Sequence, residues 1–159
     1  MRTPLVLVAV AVLLAAGCAP GADGELRSLV EEVAPAEGEL VECNWGTNWG
    51  ADSGSYYDCF YIVPGKVRPV GRDVLDRVAA LGFTVTCRTD AHTVELIGAR
   101  GGTMFYADIL GKWFVHGRNV EEADVELPPG SVLVELAAFE DDAGIQPGRL
   151  CAVASELSD

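Results

Sequence analysis

The most strand-like stretch of this chain is Ser131-Val132-Leu133-Val134-Glu135-Leu136-Ala137-Ala138-Phe139, an apolar run with a single charged residue. Its β-branched and aromatic side chains favour extended backbone. The preceding residues Pro128-Pro129-Gly130 break any regular element and mark where the run begins. This stretch therefore predicts a strand, and the rest of the fold follows from the segments that could pair with it or cover it.

Segments with alternating apolar and polar residues predict the other strands, because a period of two places alternate side chains on opposite faces of a sheet. In segment 56–63 the residues that share one face are Tyr57, Cys59, Tyr61 and Val63. Further strands are predicted at 40–45, 83–88, 93–99, 103–109, 112–116 and 150–154. A hairpin turn is expected at Arg100-Gly101-Gly102, which favours a mainly antiparallel sheet.

Two segments show the one-face spacing of amphipathic helices. The first spans 23–34, with Asp23 as the capping residue, and the second spans 72–81, with Gly82 as the C-terminal stop. Their apolar faces consist of Leu26, Leu29, Val30 and Val33 and of Val74, Leu75, Val78 and Leu81. The predicted fold is therefore α+β: one mainly antiparallel sheet with two helices on one face, stabilised by disulfides, in a single domain over 25–159.

A faint internal repeat accompanies these elements. With one gap, Val33, Gly38, Val41 and Cys43 align with Val78, Gly82, Val85 and Cys87. Both copies show a helix, a strand that contains a cysteine and then a second strand. A duplication explains this pattern, and so does the ordinary organisation of any unit of this kind.

Residues 1–17 have the organisation of a secretory signal peptide, with Arg2 before an apolar run. The run is shorter than the roughly 20 residues that span a bilayer. It ends in Leu14-Ala15-Ala16-Gly17-Cys18, which resembles the lipobox of bacterial lipoproteins. The resemblance implies a diacylglyceryl group on Cys18, cleavage before it and further acylation of the new N-terminus, with 18–24 as a lipidated tether. The alternatives are a plain secreted protein and an uncleaved anchor.

Charge and composition narrow the class of partner. The chain has a formal net charge of −13 at pH 7, and an acidic surface repels phosphate backbones, so nucleic acid is not a predicted partner. Together with the lipobox, the few lysines and the many Ala, Val and Gly residues make the chain similar to small envelope lipoproteins of actinobacteria. This similarity implies a protein that is held at the cell membrane by lipid and faces the extracytoplasmic side.

The chain contains five cysteines. If Cys18 carries lipid, the four that remain form an even set, which in an exported domain indicates two disulfides. Three pairings are open, and the preferred one joins Cys43 to Cys59 and Cys87 to Cys151. The first bond would close a short loop across a predicted hairpin and stabilise the fold by about 3 kcal/mol. A metal site is the competing interpretation, but the wide spacings and the lack of paired histidines disfavour it.

The segment 44–57 is the strongest candidate for a contact surface. It contains Asn44-Trp45-Gly46 followed by the matching triplet Asn48-Trp49-Gly50. Aromatic rings among glycines and small polar residues are typical of surfaces that bind saccharides or peptides. If the segment contacts a ligand or partner, the predicted contact residues are Asn48, Trp49, Asp52 and Tyr56; the alternative is that these side chains pack within the fold. Trp45, by contrast, is predicted to lie in the core, because it shares a strand face with Cys43.

The remaining candidates are weaker. Glu140-Asp141-Asp142, and Asp52 with Asp58, could collect Ca²⁺, but neither set has the periodicity of a calcium loop, and solvated acidic turns are the default interpretation. His92 and His116 stand alone in predicted hairpin regions. The sequence shows no Gly-x-Ser-x-Gly elbow and no phosphate-binding glycine loop, and lipidation and pairing would leave no free thiol. No catalytic residue, metal or cofactor is therefore predicted.

The sequence thus predicts a non-enzymatic, lipid-anchored envelope protein whose folded domain acts as an interaction or accessory module for another envelope protein. The alternative is a module that binds cell-wall glycan through the segment 44–57. A hydrolase that uses an unrecognised pair of carboxylates is the third hypothesis.

Overall fold

The computed structural model describes residues 22–47, 53–111 and 127–141 of the chain. The elements of these ranges are the helices α1 (Ala22–Val33) and α2 (Val67–Ala80) and the strands β1 (Glu39–Thr47), β2 (Ser53–Pro64), β3 (Thr84–Thr89), β4 (Thr93–Arg100), β5 (Thr103–Leu110) and β6 (Ser131–Asp141). The strands form one sheet in the order β1-β2-β6-β5-β4-β3, and each neighbouring pair is antiparallel. The predicted α+β fold is confirmed.

The apolar run at 131–139 lies in the middle of the sheet, because β6 pairs with β2 on one side and with β5 on the other. Its residues Val134 and Leu136 point toward the helices and are buried in the main core. Leu133 and Ala137 point to the opposite face and are buried as well. Since both faces of β6 are shielded, the strand is apolar at nearly every position instead of at alternate ones.

Both helices pack on the same face of the sheet and complete the main core. The fully buried residues of the helices include Val30 and Val33 of α1 and Val74, Leu75 and Val78 of α2. They meet strand residues such as Cys59, Leu96 and Phe105, which share that face. Burying each large aliphatic side chain contributes about 1.5–3 kcal/mol, so this helix–sheet interface is the main source of stability.

Helix α2 begins at Val67, earlier than the predicted start at Arg72. Pro69 lies in its first turn, where a backbone N–H has no helical acceptor, so proline is tolerated there. Gly71 is buried, and a Cβ at that position would stand 2.8 Å from a methyl carbon of Val94 on β4. In the sequence, Pro69 and Gly71 disfavour a helix at this point. In the structure, Pro69 is compatible with the first turn of α2, and Gly71 allows α2 to lie close to β4.

The other boundaries follow the predictions closely. Helix α1 begins at Ala22, so Asp23 is a helical residue and the prediction that it caps the helix is wrong. The six predicted strands that fall within the described residues are all present; five have longer bounds, and the strand predicted at 83–88 lies at 84–89. The strands predicted at 112–116 and 150–154 lie outside the described residues, as do the signal peptide, Cys18 and most of the tether. Among the helices that the structure describes, none has the length and apolar character needed to cross a membrane.

Candidate functional site

The β1–β2 hairpin is joined by a disulfide between Cys43 and Cys59, as predicted. The two cysteines are directly opposed in the sheet register and are 16 residues apart in sequence. Cys59 is fully buried and Cys43 is half-buried against the main core. Cys87 on β3 is also disulfide-bonded. Its predicted partner, Cys151, lies outside the described residues, so the second pairing stays a prediction.

The disulfide also indicates in which direction the backbone N–H and C=O groups of β1 point. The Cα atoms of Cys43 and Cys59 are 4.0 Å apart, which is nearer to the roughly 4.5 Å of a non-hydrogen-bonded pair in an antiparallel ladder than to the roughly 5.5 Å of a hydrogen-bonded pair. Residues in such pairs direct their N–H and C=O groups away from each other, and the pattern repeats at every second residue. Cys43, Trp45 and Thr47 therefore direct their backbone groups to the outer side of β1. A register shift between Leu40 and Glu42 ends this regular segment.

Trp45 is 43% exposed, so the prediction that it lies in the core is wrong. It does share a face with Cys43 and stands opposite Tyr57, with 6.3 Å between the ring centroids. However, β1 is the outermost of the described strands, and α1 packs against β2 and β6. The helix therefore stops short of the strand, and the indole contacts one neighbouring ring without being enclosed.

Leu40 forms a second exposed apolar group on the same strand, at 53% exposure. The sequence alternation had placed it on the opposite face from Cys43. The register shift between Leu40 and Glu42 instead sets Leu40 opposite Tyr61, whose side chain points toward the helices. A β-bulge of this kind adds a residue to one strand, so the side chains that precede it lie on the opposite face of the sheet from the one that simple alternation predicts. Leu40 and Trp45 thus lie on one face of β1, on either side of the disulfide.

The opposite face of β1 is acidic and polar. Glu39, Glu42 and Asn44 are exposed on it, opposite Ile62, Phe60 and Asp58 of β2. We call the residues Leu40, Trp45, Glu39, Glu42 and Asn44, together with the outward backbone groups of 43–47, the edge surface. One side of this surface is apolar, the other side is negatively charged, and the disulfide holds it against β2.

Asp58 is only 5% exposed, so the interpretation that it belongs to a solvated acidic turn is wrong. It lies on β2, whose neighbours β1 and β6 shield it from both sides. Burial raises the pKa of Asp58, and the nearby Glu42 carboxylate raises it further, while hydrogen bonds that include one from Asn44 lower it. The carboxyl is thus held in a setting that disfavours its charged form.

Glu140, the other acidic candidate that can be described, is a half-buried residue of β6. Its Oε2 accepts a hydrogen bond from the backbone N–H of Ser55, 3.3 Å away. The residue therefore helps to tie the end of β6 to the start of β2. Within the described ranges, no group of three or more His, Cys, Asp or Glu side chains is placed to hold a metal ion.

Of the predicted contact residues, only Tyr56 falls within the described part of the chain. It stands opposite Gly46, and a Cβ on Gly46 would lie 2.6 Å from two atoms of the Tyr56 ring. The ring therefore covers the glycine, on the face opposite to that of Trp45. Asn48, Trp49 and Asp52 lie outside the described residues, so their role as contact residues stays a prediction.

A groove of about 340 Å³ lies between the end of α1, the end of β2 and α2. Its lining includes Pro35, Pro64 and Val70, and it also contains Asp73 and Arg77. The Arg77 guanidinium donates to Asp73 at 2.9 Å and to the backbone carbonyl of Ala34 at 3.1 Å. The bond to Ala34 joins α2 to the residue that follows α1, and the bond to Asp73 lies within α2, so Asp73 and Arg77 have a structural role.

Comparison with known proteins gives no further assignment. No protein-family model matches the chain, and no curated protein or solved structure shows a significant match to it. The edge surface is therefore the feature from which a function can be argued.

Proposed function

We propose that this chain is a membrane-anchored extracytoplasmic lipoprotein whose folded domain binds a protein partner and catalyses no reaction. The lipobox resemblance around Cys18 supports the anchor and the side of the membrane. The exposure of Trp45 and Leu40 on the same face of the outermost strand supports the binding role. This exposure is the observation that carries the proposal.

Trp45 has the properties of a binding anchor. Tryptophan is enriched among the residues that dominate binding energies, since its large flat ring can be buried with little loss of side-chain entropy. Here the ring is presented by a strand that a disulfide fixes two residues away. Because little ordering remains to be done, contacts made by this surface would translate efficiently into affinity.

The chemistry of the edge surface favours binding over catalysis. It offers an indole, an aliphatic side chain, carboxylates, an amide and backbone groups, and these recognise a partner through burial, charge and hydrogen bonds. Nucleophilic catalysis would need a nucleophile and a base within hydrogen-bond distance of each other. The side chains of the edge surface include no hydroxyl, thiol or amine that could act as this nucleophile, and its carboxylates, Glu39 and Glu42, are exposed to solvent.

Glycan binding is the second candidate function. Its specific support is the pairing of the exposed Trp45 ring with the Tyr57 ring, since flat aromatic faces stack well on sugars. A protein partner is favoured because the edge surface also presents a row of outward backbone groups and an acidic side, which an uncharged sugar would use less fully.

The proposed function can be tested by photo-cross-linking in cells that produce the full, lipidated chain. A photo-activatable residue would replace Trp45, and the matched control would replace Asp76, an exposed residue of α2. We expect a discrete protein adduct from position 45 and none from position 76. An adduct with wall glycan alone would support the second candidate. The same adducts from both positions, or no adduct from position 45, would count against binding at the edge surface.

The anchor needs its own test. Cys18→Ala removes the thiol that the resemblance identifies as the lipid acceptor, so this variant should leave the membrane fraction and lose incorporated lipid label. If the variant stays in the membrane fraction with the same label, the lipoprotein assignment is wrong and the domain reaches the membrane by another route.

A further inference from the structure

We infer that the partner contributes an extended segment that pairs with the outer side of β1 as an additional strand, and that this segment alternates basic and apolar residues. The inference rests on the proposed function and names the class of partner. It combines the direction of the backbone groups, the two-sided chemistry of β1 and the charge of the chain.

The outer side of β1 presents backbone groups with which a further strand could form hydrogen bonds. Cys43, Trp45 and Thr47 direct their N–H and C=O groups outward, as the close approach of Cys43 and Cys59 indicates. Within the described residues, β1 pairs with β2 alone. Most of its residues are exposed. An extended segment could therefore form the alternating hydrogen bonds of an antiparallel or parallel ladder along 43–47, which is the β-augmentation mode of peptide recognition.

The side chains of β1 determine what such a segment should contain. On the helix-side face, an incoming strand would place every second residue beside Leu40 and Trp45, where apolar side chains gain from burial. On the other face, its remaining residues would lie beside Glu39, Glu42 and Asn44, where lysine or arginine would be attracted. Because the strand period is two, a segment of alternating basic and apolar residues satisfies both faces together.

A second copy of this chain fits the same edge poorly. If two β1 strands paired antiparallel, Glu39 and Glu42 of both copies would lie on the same face of the joined sheet, and β1 has no lysine or arginine to pair with them. The net charge of −13 adds a general repulsion between copies. The charge complementarity of the edge surface thus selects a basic segment of a different protein.

The inference can be tested with the full lipidated chain in detergent micelles and fluorescent peptides of about seven residues, long enough to span 43–47 as a strand. The first peptide alternates Lys and Val, and the second has the same composition with all Lys residues preceding all Val residues. A third alternates Glu and Val. The fourth is the first peptide with alternate backbone nitrogens methylated on the edge that would face β1. Binding is followed by fluorescence anisotropy at two salt concentrations.

We expect the alternating Lys–Val peptide to bind at least about tenfold more tightly than the other three, since each lost set of contacts is equivalent to roughly one factor of ten or more. Trp45→Ala and Glu42→Lys should each weaken binding by about tenfold. Asp76→Lys makes the same change of net charge as Glu42→Lys, but on α2, so it should alter binding by less than about twofold.

Several results would overturn the inference. Equal binding of the alternating and block peptides would show simple charge attraction, and unchanged binding of the methylated peptide would exclude strand addition. No binding by any peptide, or equal effects of Glu42→Lys and Asp76→Lys, would also contradict it, as would self-association of the chain through β1 in sedimentation experiments. If a protein adduct still formed from position 45 in cells, the proposed function would stand and only the strand-addition mode would fail.

Discussion

The two edges of the sheet follow the same local order but present different surfaces. Helix α1 precedes edge strand β1 and inner strand β2, while α2 precedes edge strand β3 and inner strand β4. Both edge strands contain a cysteine, and both cysteines face the helix side. Yet Val85 on β3 is 7% exposed, whereas Trp45 on β1 is 43% exposed.

The difference comes from where each helix lies. Helix α2 packs against β3 as well as β4 and β5, so the edge strand is covered. Helix α1 packs against β2 and β6, which are the second and third strands from the β1 edge, and leaves much of β1 uncovered. Two segments with similar local patterns can therefore end with opposite exposure, because burial depends on the position of a neighbouring element and not on the strand itself.

The two edges also differ in how the edge strand is joined to its neighbour. Between β3 and β4, the Asp90 carboxylate accepts hydrogen bonds from the backbone N–H groups of His92 and Thr93, at 2.7 and 2.8 Å. This arrangement makes a short, locally satisfied turn. The β1–β2 hairpin relies on a disulfide between its strands instead. The β3 edge is thus covered by a helix and ends in a turn with satisfied hydrogen bonds. The β1 edge is held by a disulfide and has exposed apolar groups.

Truncating one aromatic residue of the main core and one of the β1 edge would give the sharpest contrast. Phe105→Ala removes a fully buried ring that packs edge-on against Phe83, with 6.0 Å between centroids, and should lower the free energy of unfolding by about 3–5 kcal/mol. Trp45→Ala should lower it by less than about 1 kcal/mol, since the indole is largely outside the core. Equilibrium urea unfolding of both variants checks this. Similar losses would show that the uncovered edge contributes as much to stability as the core.

Removing the β1–β2 disulfide should produce the next largest effect. The double variant Cys43→Ala with Cys59→Ala frees a loop of 16 residues in the unfolded chain and should lose about 3 kcal/mol. Alanine is used because a hydroxyl at the buried position 59 would add an unrelated cost. The reference is urea unfolding of the wild type without reductant, since reductant would also break the disulfide of Cys87. A loss below about 1 kcal/mol would mean that strand pairing alone secures the hairpin.

Gly71→Ala tests whether close approach of α2 covers the β3 edge. Alanine favours a helix by about 1 kcal/mol over glycine, but its Cβ would stand 2.8 Å from a methyl carbon of Val94, a fully buried and stiff β-branched side chain. We therefore expect a net loss of about 1–3 kcal/mol. The double variant Gly71→Ala with Val94→Ala should lose less than the two single changes added together. Additive effects would indicate that the helix position does not depend on this contact.

The smallest expected effect concerns Asp58 beside the edge surface. Its pKa in the folded protein is raised, first by burial, so the folded state keeps this proton to a higher pH than the unfolded chain does. Its contribution to stability is therefore most favourable below the unfolded value of about 3.9 and declines as pH rises through the folded pKa. Asp58→Asn should gain stability over the wild type at pH 7 and lose that advantage at pH 3, as measured by thermal unfolding at both pH values.

Asp73→Asn serves as the control for this pH series, because Asp73 is paired with Arg77 on the surface of α2, away from Asp58. Exposed pairs of this kind contribute between about 0 and 1 kcal/mol. If Asp58→Asn were less stable than the wild type at pH 7, the charged form of Asp58 would be favoured in the fold and its pKa direction would be the reverse.

Much of the fold could be predicted from local pattern, and the exceptions have local causes. The alternation in 56–63 and the apolar run at 131–139 marked two strands of the sheet correctly. The start of α2 was predicted too late, because Pro69 and Gly71 carry a helix-breaking signal that position in the first turn and close packing on β4 override. The facing of Leu40 was missed because a bulge shifts the register and leaves no clear mark in the sequence.

The candidate site could be predicted only in part. The tryptophan-containing segment and the Cys43–Cys59 bond pointed to the correct hairpin. Trp45 was assigned to the core and Asp58 to a solvated turn, and the structure reverses both assignments. Each error came from treating a strand face as buried or exposed without knowing which strands and helices flank it.

The sequence by itself determined the class of the fold, the position of most elements and the first disulfide. These follow from periodicity, turn residues and the short separation between Cys43 and Cys59, which are properties of neighbouring residues in the chain. Only the tertiary structure decided that β1 lies at an edge, that α1 leaves it uncovered and that β6 lies at the centre. Strand order and helix placement bring together residues far apart in sequence, and solvent exposure depends on those contacts and not on local pattern.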